Sequence, residues 1–237
     1  MPNAIHKQRV LNRILTTLKR DLKAEEPEAR PVLEQFLFAV CREGTTRDRA
    51  DHAYQNLRAS FYDWNEIRVS SVREIADALV PLPDAETRAH RIIRILQEVF
   101  ETTYSFELES LQKKGLKQAQ KQLERFEGAD GFAVAYTLQM GLGGHSLPLD
   151  DDMRRTMHRL ELIQDSLEGE ALQASLEHLV PKAKGPLFAE IVSHLAQEYC
   201  TLKSPKCKAC PLHDVCPTGQ ENVKNGAARV SSRSRAR

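Results

Sequence analysis

Four of the five cysteines fall within seventeen residues, in "CTLKSPKCKACPLHDVC", Cys200 to Cys216. Thiolates are strong metal ligands, and the spacing C-x6-C-x2-C-x5-C places Cys200, Cys207, Cys210 and Cys216 on one short loop. Structural zinc sites with four cysteines usually pair two knuckles, each near C-x2-C. Only Cys207 and Cys210 form such a pair here. A [4Fe–4S] cubane is wider and takes ligands from different directions, so the uneven spacing favours it, with zinc as the alternative. Lys203, Lys206 and Lys208 make the loop basic. They offset the charge of four thiolates, face a phosphate, or do both. Cys41 stands apart in an apolar helical pattern and reads as a core residue.

The elements that must position this loop read as helical. In "QRVLNRILTTLKRDL", Val10, Leu11, Ile14, Leu15, Leu18 and Leu22 recur at helical spacing. In "HRIIRILQEVF", Ile92, Ile93, Leu96 and Val99 do the same. Ser71 and Glu74 in "SVRE" fit a capping box. Seven prolines, at 31, 81, 83, 148, 181, 186 and 205, fall between the periodic segments. No alternating run predicts a strand. The expected fold class is therefore all-α, about ten short helices with short connections. From about Asn222 the chain turns Ser-, Ala- and Arg-rich, which predicts a basic, unstructured tail.

Bulk properties agree with a soluble helical protein. The chain has 237 residues, 41% of them hydrophobic, and a formal net charge of +1. That supports one large or two small cores. Near-neutral charge does not itself signal a nucleic-acid partner, so such a partner has to be read from local features. "MPNAIHKQRV" lacks a signal-peptide apolar region, and no apolar run reaches the ~20 residues of a membrane span. Both predict a cytoplasmic protein without a membrane partner, where clustered cysteines bind metal more often than they form disulfides.

The cysteine spacing, on an all-helical chain of this length, resembles the endonuclease III branch of the helix-hairpin-helix DNA glycosylases. A second match is "FEGADGFAVAYTLQMGLGGHSLPLDDDMRR", 126–155, and a weaker one is "DWNEIRVSSVREIADAL", 63–79. The resemblance implies a two-lobed fold. Residues 31–146 would form a helical barrel lobe with the hairpin. Residues 1–30 and 147–217 would form an iron–sulfur lobe, followed by the tail at 218–237. It also implies a monomer that binds double-stranded DNA across the cleft, with a damaged or mismatched base flipped into a pocket between the lobes. In a bacterium such a protein would associate with the nucleoid.

By the same resemblance, "LPLD" puts Asp150 on the family's catalytic aspartate. A carboxylate beside the sugar stabilises the positive charge that builds as an N-glycosidic bond breaks, and helps activate the nucleophile. Asp150 also heads the predicted helix "DDDMRRTMHRL", where a helix cap is the ordinary role. Members that also cleave the strand use a lysine as nucleophile. Phe132 falls at that position and cannot form an imine, so Schiff-base lyase chemistry is not expected. The hairpin maps to Gly128, Ala129, Asp130 and Gly131, and Glu43 falls where the family has a glutamine that fills the gap left by the flipped nucleotide. The expected DNA face thus carries Glu43, Glu127, Asp130, Asp151 and Asp152, carboxylates that repel phosphate. Arg42, Arg47, Arg49, Arg154 and Arg155 lie near the same elements and could compensate, as could the tail arginines 229, 233, 235 and 237. His145 reads as a loop residue.

Three readings follow from the sequence. The first is a DNA glycosylase without lyase activity. The second is a non-catalytic relative that recognises damaged DNA. The third is a scaffold that uses the acidified face for a protein partner.

Overall fold

A computed structural model describes residues 4–18, 29–164 and 166–225. Among these, every regular element is helical, as the sequence predicts. The backbone divides into two compact units, residues 27–150 and residues 1–26 with 151–237. The chain passes from one to the other between Asp150 and Asp151.

The unit of 27–150 contains α2 (Val32–Arg42), α3 (Arg47–Ser60), α4 (Trp64–Val69), α5 (Val72–Ala78), α6 (Ala85–Thr103), α7 (Leu116–Leu123) and α8 (Gly131–Met140). At its centre α2 packs against α3, α6 and α8. Nearly every residue of α2 is buried, from Val32 to Arg42, because its apolar run "VLEQFLFAVC" leaves no polar face to present to water. Cys41 is fully buried here, and burial pushes its thiol up to about 12, so it behaves as a small hydrophobe. Aromatic rings line one side of the core. Phe38 meets Tyr54 edge-on at 5.5 Å and Tyr136 at 6.0 Å. The short helices are fixed by their caps. Asp63 accepts the N–H of Glu66 at 2.8 Å, and Ser71 and Glu74 form the predicted reciprocal capping box.

The second unit contains α1 (Ala4–Arg13), a π-helical turn at Ile14–Leu18, α9 (Asp151–Arg159), α10 (Gly169–Leu179) and α11 (Gly185–Glu198). Val10, Leu11, Ile14 and Leu18 are buried, as their periodicity predicts, while Leu22 lies outside the described residues. The π-turn and α9 both pack against α11. Pro186 does not separate segments but sits in the first turn of α11, where its missing N–H costs nothing.

Residues 217–225, α12, correct the expected start of the tail. They are helical. Pro217 opens the helix, the Cys216 carbonyl accepts the N–H of Gln220 at 3.0 Å, and Gln220 Nε2 donates to the Asp214 carbonyl at 2.8 Å. The first turn is thus anchored by the cysteine loop before it. The tail arginines 229, 233, 235 and 237 lie outside the described residues.

Candidate functional site

Asp150 ends the irregular segment that follows α8. That segment is tied down at its start, where Gly144 N–H reaches the Leu138 carbonyl at 2.7 Å and Gln139 Nε2 reaches the Ser146 carbonyl at 2.7 Å. Buried Leu147 anchors its far half. Asp150 is itself buried, at 7% exposure, and its Oδ2 accepts the backbone N–H of Gly44 at 3.0 Å. Gly44 has φ +61°, in the left-handed region where a side chain is strained, so glycine suits the turn that aims this N–H. The turn is held from below by two buried arginines. Arg88 donates to the carbonyls of Val40 and Glu43, the latter at 2.7 Å, and Arg42 donates to the Thr45 carbonyl. The Arg88 bonds to Val40 and, at 3.5 Å, Cys41 satisfy carbonyls at the end of α2 that have no partner within the helix, and those to Glu43 and Thr45 hold the turn that follows. The buried carboxylate is therefore positioned by the loop after α2, a contact that spans 106 residues in sequence.

The first turn of α8 carries Phe132. The ring is 5% exposed and stacks on Tyr136, with centroids 5.9 Å apart. The position thus belongs to the aromatic core and offers no amine.

The hairpin is residues 124–130, between α7 and α8. Gly128 lies so close to α6 that an added Cβ would meet the Arg91 carbonyl oxygen at 2.4 Å and Ile95 Cγ1 at 2.9 Å. Only glycine fits that approach. Its carbonyl accepts Arg91 Nε at 2.9 Å. Asp130 caps α8, accepting the Ala133 N–H at 2.8 Å, and Ala129 N–H is used within the turn at 2.8 Å. Glu127 N–H donates to the Glu98 carboxylate at 2.9 Å.

Three of the five carboxylates expected on the DNA face have arginine partners on α6. Arg91 Nη1 binds Glu43 Oε2 at 2.6 Å, and Arg91 Nη2 lies 2.6 Å from Asp130 Oδ2, a close ion pair without the alignment of a hydrogen bond. Arg94 pairs with Glu127. Glu43 is partly buried and faces Asp130. Burial first, and the neighbouring carboxyl second, push it up to about 7 despite the opposing pull of Arg91. Asp152 pairs with Arg155 and accepts Gln197 Nε2 at 3.0 Å, and Asp151 is exposed in the first turn of α9. The acidity that the sequence places at the hairpin is thus largely compensated from α6. Sequence reading missed Arg91 and Arg94, although both stand in the recognised "HRIIRILQEVF" pattern on positions between its apolar residues.

The expected compensation by nearby arginines is redirected for four of the five, while Arg49 is exposed on α3. Arg42 is buried at the end of α2, and Arg47 pairs with Asp51 at 3.5 Å. Arg154 reaches the Leu167 carbonyl at 3.2 Å. Arg155 and Arg159 both turn to the cysteine loop. Arg155 Nε and Nη2 donate to the Cys200 carbonyl at 3.1 and 3.0 Å. Arg159 Nη1 donates to the Thr201 carbonyl at 2.9 Å and to Cys200 Sγ at 3.3 Å. Both arginines stand one helical turn apart on α9.

The four cysteines line one small cavity, together with Arg159, Tyr199 and His213. Their sulfurs are approached by donors: Gly219 N–H to Cys216 at 3.2 Å, Asn222 Nδ2 to Cys207 at 3.5 Å, and Arg159 to Cys200. A Cβ on Gly219 would stand 3.3 Å from Cys216 Sγ, so glycine keeps the cradle open. Burial pushes the Cys210 thiol up and the Cys216 thiol up to about 11, and the neighbouring cysteines add to both shifts. Ionised together, they call for a positive centre. Among the described residues, no three His, Cys, Asp or Glu side chains form a group placed to hold a metal ion.

Comparison with known proteins bears on this arrangement of helices, hairpin and cysteine loop. A non-covalent complex of endonuclease III with DNA superposes with a TM-score of 0.70, covering 92% of this chain and 98% of that one, at 14% identity. The chain has the helix-hairpin-helix DNA glycosylase fold. A trapped covalent endonuclease III–DNA intermediate matches with a TM-score of 0.68 at 15% identity, over 92% of this chain and 98% of that one. A thermostable thymine-DNA glycosylase matches with 0.66 at 18% identity, over 91% and 97%. In sequence, the chain is 24% identical over 171 residues to the DNA glycosylase/AP lyase ROS1 of Arabidopsis thaliana, covering 65% of this chain and 12% of that protein. No protein-family profile matches. Among the described residues, no helix is long and apolar enough to cross a membrane.

Proposed function

We propose that the protein is a monofunctional DNA glycosylase that hydrolyses the N-glycosidic bond of a flipped, damaged or mismatched base. The observation that carries this is Asp150, a buried carboxylate fixed by the Gly44 N–H in a glycosylase fold. Its negative charge stabilises the oxocarbenium character of the departing sugar, and its oxygens orient or deprotonate the attacking water. Water is the nucleophile because the lysine position is Phe132, packed in the core. No imine forms, and strand cleavage does not follow.

Cys200, Cys207, Cys210 and Cys216 hold a [4Fe–4S] cluster in this reading. The uneven C-x6-C-x2-C-x5-C spacing supports a multi-atom centre over a single zinc ion, and the four cysteines line one cavity with hydrogen-bond donors at three of their sulfurs. When bound, the cluster supplies a cross-link for the cysteine loop, which Arg155 and Arg159 tie to α9, the helix that starts beside Asp150.

The test is a panel of duplexes, each with one lesion or mismatch, incubated with cluster-loaded protein. Abasic product from wild type, its loss in Asp150→Asn, and no borohydride-trapped adduct support the reading. Duplex binding without product favours a recognition protein. A trapped adduct would overturn the assignment of water as nucleophile.

A further inference from the structure

Part of the hairpin backbone is already engaged. Glu127 N–H is taken by Glu98, and Ala129 N–H by its own turn. Asp130 and Glu127 bring carboxylates to the same place. Yet the helix that leads into the hairpin is basic along its length. Lys117, Lys121 and Arg125 recur every fourth residue on α7 and the turn after it, and all three are exposed. Among the described residues, none has an acidic partner within 4 Å.

The acids nearby accept hydrogen bonds from neutral donors, and two of them, Glu98 and Glu101, share the lining of the adjoining groove. Glu98 accepts the Glu127 N–H, Glu101 accepts Gln97 Nε2, and Glu124 accepts Gln120 Nε2 at 2.8 Å. Lys121 and Arg125 also edge an open groove between α7 and α6, with Lys114 at its end and Phe126 in its lining. Lys114 Nζ is held by Gln122 Oε1 at 2.6 Å, which orients a further cation without neutralising it. A solvated helix face usually mixes signs at i, i+4, since opposite charges there stabilise the helix. Three like charges in that register carry a small cost that a bound polyanion would remove.

We propose that Lys117, Lys121 and Arg125 form a surface through which this chain holds the sugar-phosphate backbone of duplex DNA, beside the hairpin. The stripe spans about 12 Å at 1.5 Å per residue. One DNA strand presents a phosphate every ~3.4 Å along the axis, so the stripe matches three or four phosphates. Contacts of this kind give affinity and register without sequence preference, which suits a protein that must scan undamaged DNA. The inference rests on the glycosylase reading above and adds where the phosphates sit.

The test is the salt dependence of binding to an undamaged duplex, measured by fluorescence anisotropy between 50 and 200 mM salt. The variant is Lys117→Gln/Lys121→Gln/Arg125→Gln. Glutamine keeps helix propensity, and the residues are exposed, so the far-UV spectrum and melting temperature should hold. Removing three phosphate contacts lowers the slope of log K against log salt by about 2.7. The advantage of wild type over the variant then shrinks roughly 40-fold across this fourfold salt range. Lys117→Arg/Lys121→Arg should bind as wild type does. The control Lys182→Gln/Lys184→Gln, exposed in the other unit, should leave the slope unchanged. Wild-type binding with an unchanged slope in the triple variant would overturn this proposal and leave the glycosylase reading standing. Tighter binding of a single-stranded RNA of equal length would also overturn it. No duplex binding by wild type would remove both.

Discussion

Arg91→Met should destabilise the hairpin unit by an amount that grows with pH. The side chain gives up three contacts: Nε to the Gly128 carbonyl, Nη1 to Glu43 and Nη2 beside Asp130. A hydrogen bond involving a charged group contributes ~1.5 kcal/mol or more. The two ion pairs are partly exposed, at 19% for Arg91 against 27% and 34% for the acids, so about 0.5–1 kcal/mol each is appropriate. The sum is about 2.5–3.5 kcal/mol at pH 8.5. The sign of the pH effect comes from Glu43, held at about 7 in the folded protein against an ordinary 4.5. A raised carboxyl contributes stability below its unfolded value, and that stability is lost as pH rises through the folded value. Wild type should therefore lose stability between pH 4.5 and 7. Without Arg91, which pulls Glu43 down, the loss continues above pH 7. At pH 5.5 a protonated Glu43 can donate to Asp130 in the variant, and the cost falls to about 1–2 kcal/mol. Urea unfolding followed by Trp64 fluorescence is the assay. Trp64 is the chain's one tryptophan and stands in this unit, with Arg58 stacked 4.1 Å from its ring centroid. A penalty that is equal at both pH values, or larger at pH 5.5, would refute the clamp.

Further outcomes follow from the same geometry. Gly128→Ala should cost several kcal/mol and shift the hairpin, since its Cβ would overlap the Arg91 carbonyl; a melting temperature within a degree of wild type would contradict this. Cys216→Ser should lower bound iron and sulfide, assayed chemically with zinc alongside; one zinc per chain and no iron in wild type would replace the cluster assignment. Arg159→Gln should leave the cysteines in place but speed loss of the metal centre to a chelator, because it frees the Thr201 and Leu202 carbonyls and one sulfur.

What could be read in the sequence was what is local or periodic. The capping box at Ser71 and the buried stripe of α1 follow from spacing of four residues or fewer, and the structure shows both. The cysteine loop and Asp150 were legible as motifs. What was hidden is what long-range contacts decide. Glu43, Asp130 and Glu127 read as unpaired acids because their partners, Arg91 and Arg94, lie 33 to 48 residues away in sequence. Arg155 read as a phosphate contact, yet the structure turns it toward a carbonyl 45 residues on. The tail began too early because the anchor of α12 is the Cys216 turn, not its own apolar content. A chain's charge pattern shows how many ions it has, and only the packing shows which are left for a ligand.

The measurement that bears most directly on the central assignment is single-turnover cleavage on the best lesion duplex, comparing wild type with Asp150→Asn. Asparagine keeps an acceptor for the Gly44 N–H, so binding and fold should be retained while the charge is lost. The account predicts abasic product from wild type and a rate at least ~100-fold slower in the variant, at unchanged duplex affinity. Equal rates from the two proteins would contradict it.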